Sequence, residues 1–423
     1  QLPGCMPTFY GKPSASISGI PLAAANAAMV WLVPLAVRRF LRRSRSDQAM
    51  VSRLWVSVGM RASMGMAALY WILDSVDGML ASEMAGGGSG AGASAGAGAM
   101  PAGAGALAGT GVGPSAAPGV PASDWSDLRV VLARMAVGVA LGGGLAAWFA
   151  SPFCIDVAIG DAGASASQVH SQRSGRSKSA GGSSSITGTT STNTNTASKR
   201  QRTAVILGYG NAYGAAYLMF VSFVFCVLYV FQQPMGGIML SVLFVELIVC
   251  AELFDSLRDA LGMAANAPLR LAQMTMTAQL GYLGYFATGH QFTLVSLQWS
   301  TAFVGVREMQ LLVCGAIVAI NTFGAFMLCA VSVPLADLWN ESLGSQALRL
   351  APNSYFSRIV AAGAVFAAYN LLVSTSAAAF AAWFRRHLMV WKIFAPRFMF
   401  SAPTMLLSSA LVLFVAAGFA AAR

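Results

Sequence analysis

The residues of this chain best able to do chemistry are few and far apart. His170, His290 and His387 are the three histidines, and the 15 acids lie mostly between apolar runs. A hydrolytic metal centre needs three or more ligands drawn together, and no HExxH, GxSxG or phosphate-loop pattern appears. A metal-dependent hydrolytic centre built by this chain alone is therefore not expected. The run Gly289-His290-Gln291-Phe292-Thr293-Leu294, followed by Gln298-Trp299, interrupts an otherwise uncharged stretch from Leu271 to Val306. Polar side chains in so apolar a setting are costly unless they face protein or water. His290 and Gln291 are thus candidates to hydrogen-bond a lipid or glycan headgroup; the alternative is a packed loop with Trp299 as its interfacial anchor.

Two other groups stand out. Glu246 and Glu252 share one apolar run, six positions apart, which on a helix sets them about 120° apart. Glu252 falls near the end of the run, whereas Glu246 is deeper and is either functional or a hydrogen-bonded structural acid. The segment Arg385 to Phe398 alternates cations with aromatics. Arginine offers paired donors to phosphate oxygens, so Trp391 and Arg397 could line a phosphate rim, or the segment could be an ordinary basic flank. Asn321 and Gly324, with Pro334 beyond, mark a packed or bent helix making helix–helix contacts.

The elements that must position these residues are membrane helices. Hydrophobic residues make up 56% of the 423, charged residues only 10%, and mean hydropathy is +0.64, far from the quarter charged of an average soluble domain. Spans of roughly 20 apolar residues are expected at Ile20–Val37, Val51–Leu73, Leu128–Ala150, Thr203–Phe231, Ile238–Phe254, Leu271–Ala287, Met309–Leu335, Ile359–Phe384 and Thr404–Ala421. The fold expected is an all-α bundle of about nine transmembrane helices. Residues 85–123, almost wholly Gly, Ala, Ser and Pro, and 160–202, rich in Ser and Thr, cannot offset chain-ordering entropy and are expected to be disordered. They divide the chain into helices in 1–84, one helix in 124–159 and a C-terminal bundle in 203–423.

Charge placement orients the bundle. The net charge of +11 arises largely from Arg38 to Arg45 and from Arg173 to Arg202, both flanking apolar runs, so nucleic acid is not the expected partner. Positive flanks belong on the cytosolic side. The loop after the second helix holds Asp74, Asp77, Glu83, Asp124 and Asp127 and faces the other way, towards a lumen or the exterior. Alternation then puts both His290–Arg307 and Arg385–Arg397 on the lumenal side, the second against the positive-inside rule. The six cysteines show no paired spacing and read as small buried hydrophobes. The chain opens on Gln1 without a charged n-region and cleavage site, so no signal peptide is read and a longer protein is expected.

Several strings resemble a known family. Thr288-Gly289-His290-Gln291, Gln298-Trp299-Ser300-Thr301-Ala302-Phe303-Val304-Gly305, Asn321-Thr322-Phe323-Gly324, Ala330-Val331-Ser332-Val333-Pro334-Leu335 and His387 to Phe398 are similar to the membrane region of the glycosylphosphatidylinositol (GPI) ethanolamine phosphate transferases. The resemblance is good from Thr203 onwards, weaker from Ile20 to Ala150 and absent in the two linkers. It implies a multi-pass protein of the endoplasmic reticulum that serves the transfer of ethanolamine phosphate from phosphatidylethanolamine to the third mannose of the GPI precursor. It also implies a lumenal catalytic domain with a Thr nucleophile and zinc, and nothing in this chain matches that nucleophile or those metal ligands. No catalytic residue is carried over, no zinc is expected on this chain, and a small membrane partner subunit is implied. His290, Gln291, Trp299, Trp391 and Arg397 are the residues expected to bind lipid, with the loops at His290 and Arg397 meeting at one membrane face. The rival readings are a transporter or channel using Glu246, against which the missing internal repeat counts, and a purely structural membrane subunit.

Overall fold

The computed structural model describes residues 19–43, 53–86, 125–150, 157–161, 202–206, 212–261, 267–293, 296–338, 353–386 and 388–421. Within these lie nine long helices. They are α1 (Gly19–Arg43), α2 (Met60–Gly86, entered through a π turn, Trp55–Gly59), α3 (Trp125–Gly138, continued through a π turn, Val139–Gly143, into Gly144–Ala150), α4 (Ala212–Val230) and α5 (Pro234–Leu261). They continue as α6 (Ala267–Ala287), α7 (Leu311–Leu338), α8 (Asn353–Trp383) and α9 (Leu388–Ala421). Seven of the helices are long and apolar enough to cross a membrane, and the chain is a multi-pass helical membrane protein. The expected disordered linkers, 85–123 and 160–202, lie almost wholly outside the described residues.

The helix bounds depart most from expectation in two places, while α2 also runs past Leu73 to Gly86 and α5 starts at Pro234, ahead of Ile238. The fourth span begins at Ala212, because the β-branched run Arg202–Ile206 forms strand β2, paired antiparallel with β1 (Val157–Asp161). Gly208, Gly210 and Asn211 separate that strand from the helix, as glycine-rich punctuation does. The ninth helix starts at Leu388, sixteen residues before Thr404 (404 − 388), and carries both Pro396 and Pro403 inside it. Arg397 therefore sits on a helix and not in a loop. A polar, proline-bearing segment hides a helix from a hydropathy scan, and neighbouring helices can re-satisfy the backbone groups that proline frees.

Without water to drive apolar surfaces together, membrane helices associate through close packing and interhelical hydrogen bonds. Both are concentrated in the middle of this bundle. More than half of the apolar window of α5 and of α7 (56% each) is buried, against 22% for α1, so α5 and α7 form the centre. Gly284 of α6 sits where a Cβ would lie 2.6 Å from Leu243 of α5 and 3.2 Å from Ala325 of α7, so the three helices approach through it. Phe225 of α4 stacks on Phe244 of α5 with centroids 4.5 Å apart, and the Tyr217 hydroxyl donates to the Val331 carbonyl at 2.6 Å, tying α4 to α7.

The N-terminal helices interlock differently. The Trp55 ring occupies the space of two missing side chains: a Cβ on Gly59 would lie 2.3 Å from it and one on Gly143 2.9 Å. Both glycines belong to π turns, which widen the helix locally. The indole N–H donates to Ser222 Oγ of α4 at 3.0 Å, joining α2, α3 and α4 through one side chain. Ser63 Oγ adds a bond to the Ala136 carbonyl at 3.1 Å.

Alternating helix directions place the 231–233 turn, the loop between α6 and α7 and the 384–386 turn at one end of the bundle, together with the start of α1 and of α3. Cross-links confirm the grouping. Asn26 Nδ2 of α1 donates to the Pro234 carbonyl, Gln233 Nε2 to Ser300 Oγ, and Arg134 Nε to the Gly305 carbonyl, all within 3.1 Å.

Candidate functional site

The site is built at that end, and its first component is the way α6 stops. Gly289 adopts φ +86°, open to glycine without a Cβ penalty. The His290 N–H returns to the Tyr285 carbonyl and the Gly289 N–H to the Phe286 carbonyl, the pair of bonds that defines a Schellman cap. In such a cap the residue after the glycine packs back on the helix residue five before it, and that place is commonly apolar. Here it is His290, whose ring lies 5.5 Å from that of Tyr285. The cap thus turns His290 inward, leaving it 1% exposed.

Burial pushes the His290 imidazole down to about 4, with the Asn321 backbone acting weakly in the opposite direction. The ring is neutral at pH 7, and neither nitrogen completes a hydrogen bond of normal geometry. Three buried amides lie at the same end of the bundle. Gln232, in the α4–α5 turn, donates Nε2 to the Asn321 carbonyl at 2.9 Å; Asn321 of α7 donates Nδ2 to the Phe231 carbonyl at 2.8 Å. This reciprocal pair fixes the turn against α7. Gly324, one turn on, leaves the room that Gln232 needs, since a Cβ there would lie 3.1 Å from Nε2. Gln298 donates Nε2 to the Thr288 carbonyl at 3.4 Å, folding the loop under itself. Asn321 and Gly324 thus make the close interelement contact expected of them.

The second component is an aromatic step leading outward. Tyr285 stacks on Phe292 at 4.8 Å, its hydroxyl donating to the Gln291 carbonyl at 2.8 Å. The Arg397 guanidinium lies 5.8 Å from the Phe292 ring centroid, in cation–π range. The loop of His290 and the segment of Arg397 therefore meet at one end of the bundle. The Gln291 side chain is exposed while its backbone closes the loop with Ser296. Trp299 opens a 3-10 turn (Trp299–Phe303) and is 62% exposed, as an interfacial anchor requires. Trp391 belongs to the start of α9, and its side chain, like all of His170 and His387, lies outside the described residues.

A ring of charge borders the site. Arg129 of α3 bridges Asp74 and Asp77 of α2, and Arg307 of the loop pairs with Asp127 at 2.8 Å. Glu246 is half-buried in α5 and makes no hydrogen bond or ion pair with a described residue. Among the described residues no three His, Cys, Asp or Glu side chains gather so as to hold a metal ion; the residues present do not fit zinc, and no chemical step is routed through it. Gln232 and Asn26 carried no signal in the sequence beyond being polar residues beside apolar runs; Asn26 also accepts from the Tyr229 hydroxyl at 3.0 Å.

Fold and site define a multi-pass helical membrane protein whose buried polar residues and rim cation gather at one end. Residues 223–422 match the family model described as the GPI ethanolamine phosphate transferase membrane region. The match covers just under half of the chain, from within α4 through α9. The chain is 24% identical over 420 residues to GPI ethanolamine phosphate transferase 3 of Saccharomyces cerevisiae, covering 99% of this chain and 33% of that protein. It is 29% identical to the protein of the same name from Eremothecium gossypii, covering 70% of this chain and 24% of that one. The human GPI ethanolamine phosphate transferase 3, catalytic subunit, is 30% identical over 161 residues, 30% of this chain and 14% of that protein. The chain thus spans a third or less of the length of these relatives. No solved structure matches it.

Proposed function

We propose that this chain is the membrane portion of an endoplasmic-reticulum enzyme that moves ethanolamine phosphate from phosphatidylethanolamine to the third mannose of the GPI precursor, and that it binds and orients the lipid substrates. The observation that carries the reading is the placement of Arg397 over Phe292, on the same end as the buried His290 loop, within a region matched to this family. A guanidinium held by an aromatic face keeps its N–H fork free for a lipid phosphate. Gln291 and Trp299, both exposed, serve as headgroup and interface contacts, and Trp391, on the same helix as Arg397, is a further proposed lipid contact. The end that bears them faces the lumen, where a zinc-bearing catalytic domain performs the transfer; a small membrane subunit is the proposed partner.

The test is photocrosslinking of the full-length protein with phospholipids carrying a reactive acyl chain. Arg397→Gln is expected to lower labelling of the α6–α7 loop about tenfold, the effect of one charge-assisted hydrogen-bond pair. Unchanged labelling with Arg397→Gln would remove the orienting role.

A further inference from the structure

Three buried side-chain amides at the His290 end of the bundle share one electrical arrangement. Gln232, Gln298 and Asn321 each direct the amide nitrogen to a backbone carbonyl, those of Asn321, Thr288 and Phe231 respectively. A carbonyl accepts only from a donor, so the nitrogen of each amide is fixed on that side and the oxygen is left for another partner. Gln232 Oε1, Gln298 Oε1 and Asn321 Oδ1 are all buried without a hydrogen-bond partner among the described residues. Their side chains are at least nine-tenths buried. Buried acceptors are rarely left unmade, because each forfeits its hydration for nothing. A neutral imidazole carries one N–H and can serve at most one of the three. The Thr322 hydroxyl, next to Asn321 in the chain and also buried without a partner among the described residues, can serve another. At least one acceptor is therefore matched to a donor that the described residues do not supply.

The chemistry of the partner follows. The unpaired oxygens repel an anion and reward a group with N–H or O–H bonds. Tyr285, in contact with His290, also stacks on Phe292, beneath Arg397, so His290 and the Arg397 cation lie on either side of one aromatic pair. We propose that the amide oxygens of Gln232, Gln298 and Asn321, with His290, form a subsite for the hydrogen-bond-donating part of a lipid headgroup, a primary ammonium or sugar hydroxyls, whose phosphate lies towards Arg397. This rests on the lipid-orienting reading above and adds which end of the headgroup goes where. Choline, whose nitrogen is fully methylated, donates nothing and is excluded.

The experiment compares lipids retained by the full-length protein in nanodiscs of phosphatidylcholine doped with either phosphatidylethanolamine or phosphatidylinositol, read by native mass spectrometry. At least one donor lipid is expected to be retained about tenfold over phosphatidylcholine, as net hydrogen bonding to buried acceptors requires. Gln298→Leu is expected to erase that preference. Gln298→Glu raises retention of the ammonium lipid if the donor is an amine and leaves it unchanged if the donors are hydroxyls. Equal retention of all three lipids by the unaltered protein, which needs no variant to fold, would overturn the subsite and leave the oxygens to ordered water. If that equality is accompanied by Arg397-dependent labelling, only the subsite falls; if Arg397→Gln is also silent, the reading beneath it falls too.

Discussion

At the end of the bundle that carries the α6–α7 loop, two polar regions solve the same problem in opposite ways. Around α2 and α3, Arg129 pairs with Asp74 and Asp77, and Arg307 pairs with Asp127, the last two largely exposed. Between α4, α6 and α7, Gln232, Gln298 and Asn321 are buried, neutral and held by bonds to backbone carbonyls, with the neutral His290 buried beside Tyr285. The difference teaches where each device works. An ion pair near water gains little but needs no desolvation, whereas deep in the bundle only neutral groups escape the penalty of burying charge. The neutral region is consequently the one whose disruption costs most.

The largest effect is expected at the Gln232–Asn321 pair. Asn321→Leu removes the donor to the Phe231 carbonyl and leaves that buried acceptor unmade, a loss of about 2–3 kcal/mol, read as a lowered thermal unfolding midpoint in detergent. Acid should separate the regions next. The His290 ring titrates at about 4 when folded and near its ordinary 6.5 when unfolded, so the unfolded chain binds the extra proton between those values. Its contribution is complete above pH 6.5 and falls as pH drops towards 4, by about 3 kcal/mol at the lower end. His290→Gln is expected to flatten that part of the stability–pH curve; an unchanged slope would place the titration elsewhere. Gly289→Ala, which forces a side chain into φ +86°, should cost about 1 kcal/mol. The smallest effect belongs to the charged region: Arg307→Ala should lose about 0.5 kcal/mol or less, and less still at high salt.

Much of this was legible in the sequence, in proportion to how far each feature depends on neighbours along the chain. The spans follow from apolar run length, but α5 starts at Pro234, ahead of the expected Ile238, because proline suits a first helical position. The sequence also identified the end of the bundle at which His290 and Arg397 meet, through helix parity and despite the positive-inside rule. The inward turn of His290 was in principle legible too, since glycine directly after an apolar run marks a left-handed cap. What local pattern cannot carry is pairing at a distance. Gln232 and Asn321 are 89 positions apart, and nothing in either stretch marks the other as its partner. The helical start of α9 was hidden because Lys392, Pro396 and Arg397 lower its hydropathy, and the strand Arg202–Ile206 because its residues suit a span as well as a sheet.

We propose that this chain orients lipids for ethanolamine phosphate transfer to a mannose. Mass spectrometry of GPI precursors from cells in which the gene is deleted, then restored as full-length wild type or as Arg397→Gln, tests it most directly. Deletion is expected to remove ethanolamine phosphate from the third mannose, wild type to restore it, and Arg397→Gln to restore about a tenth as much in the same time. Precursors that keep the group on the third mannose after deletion would contradict the claim.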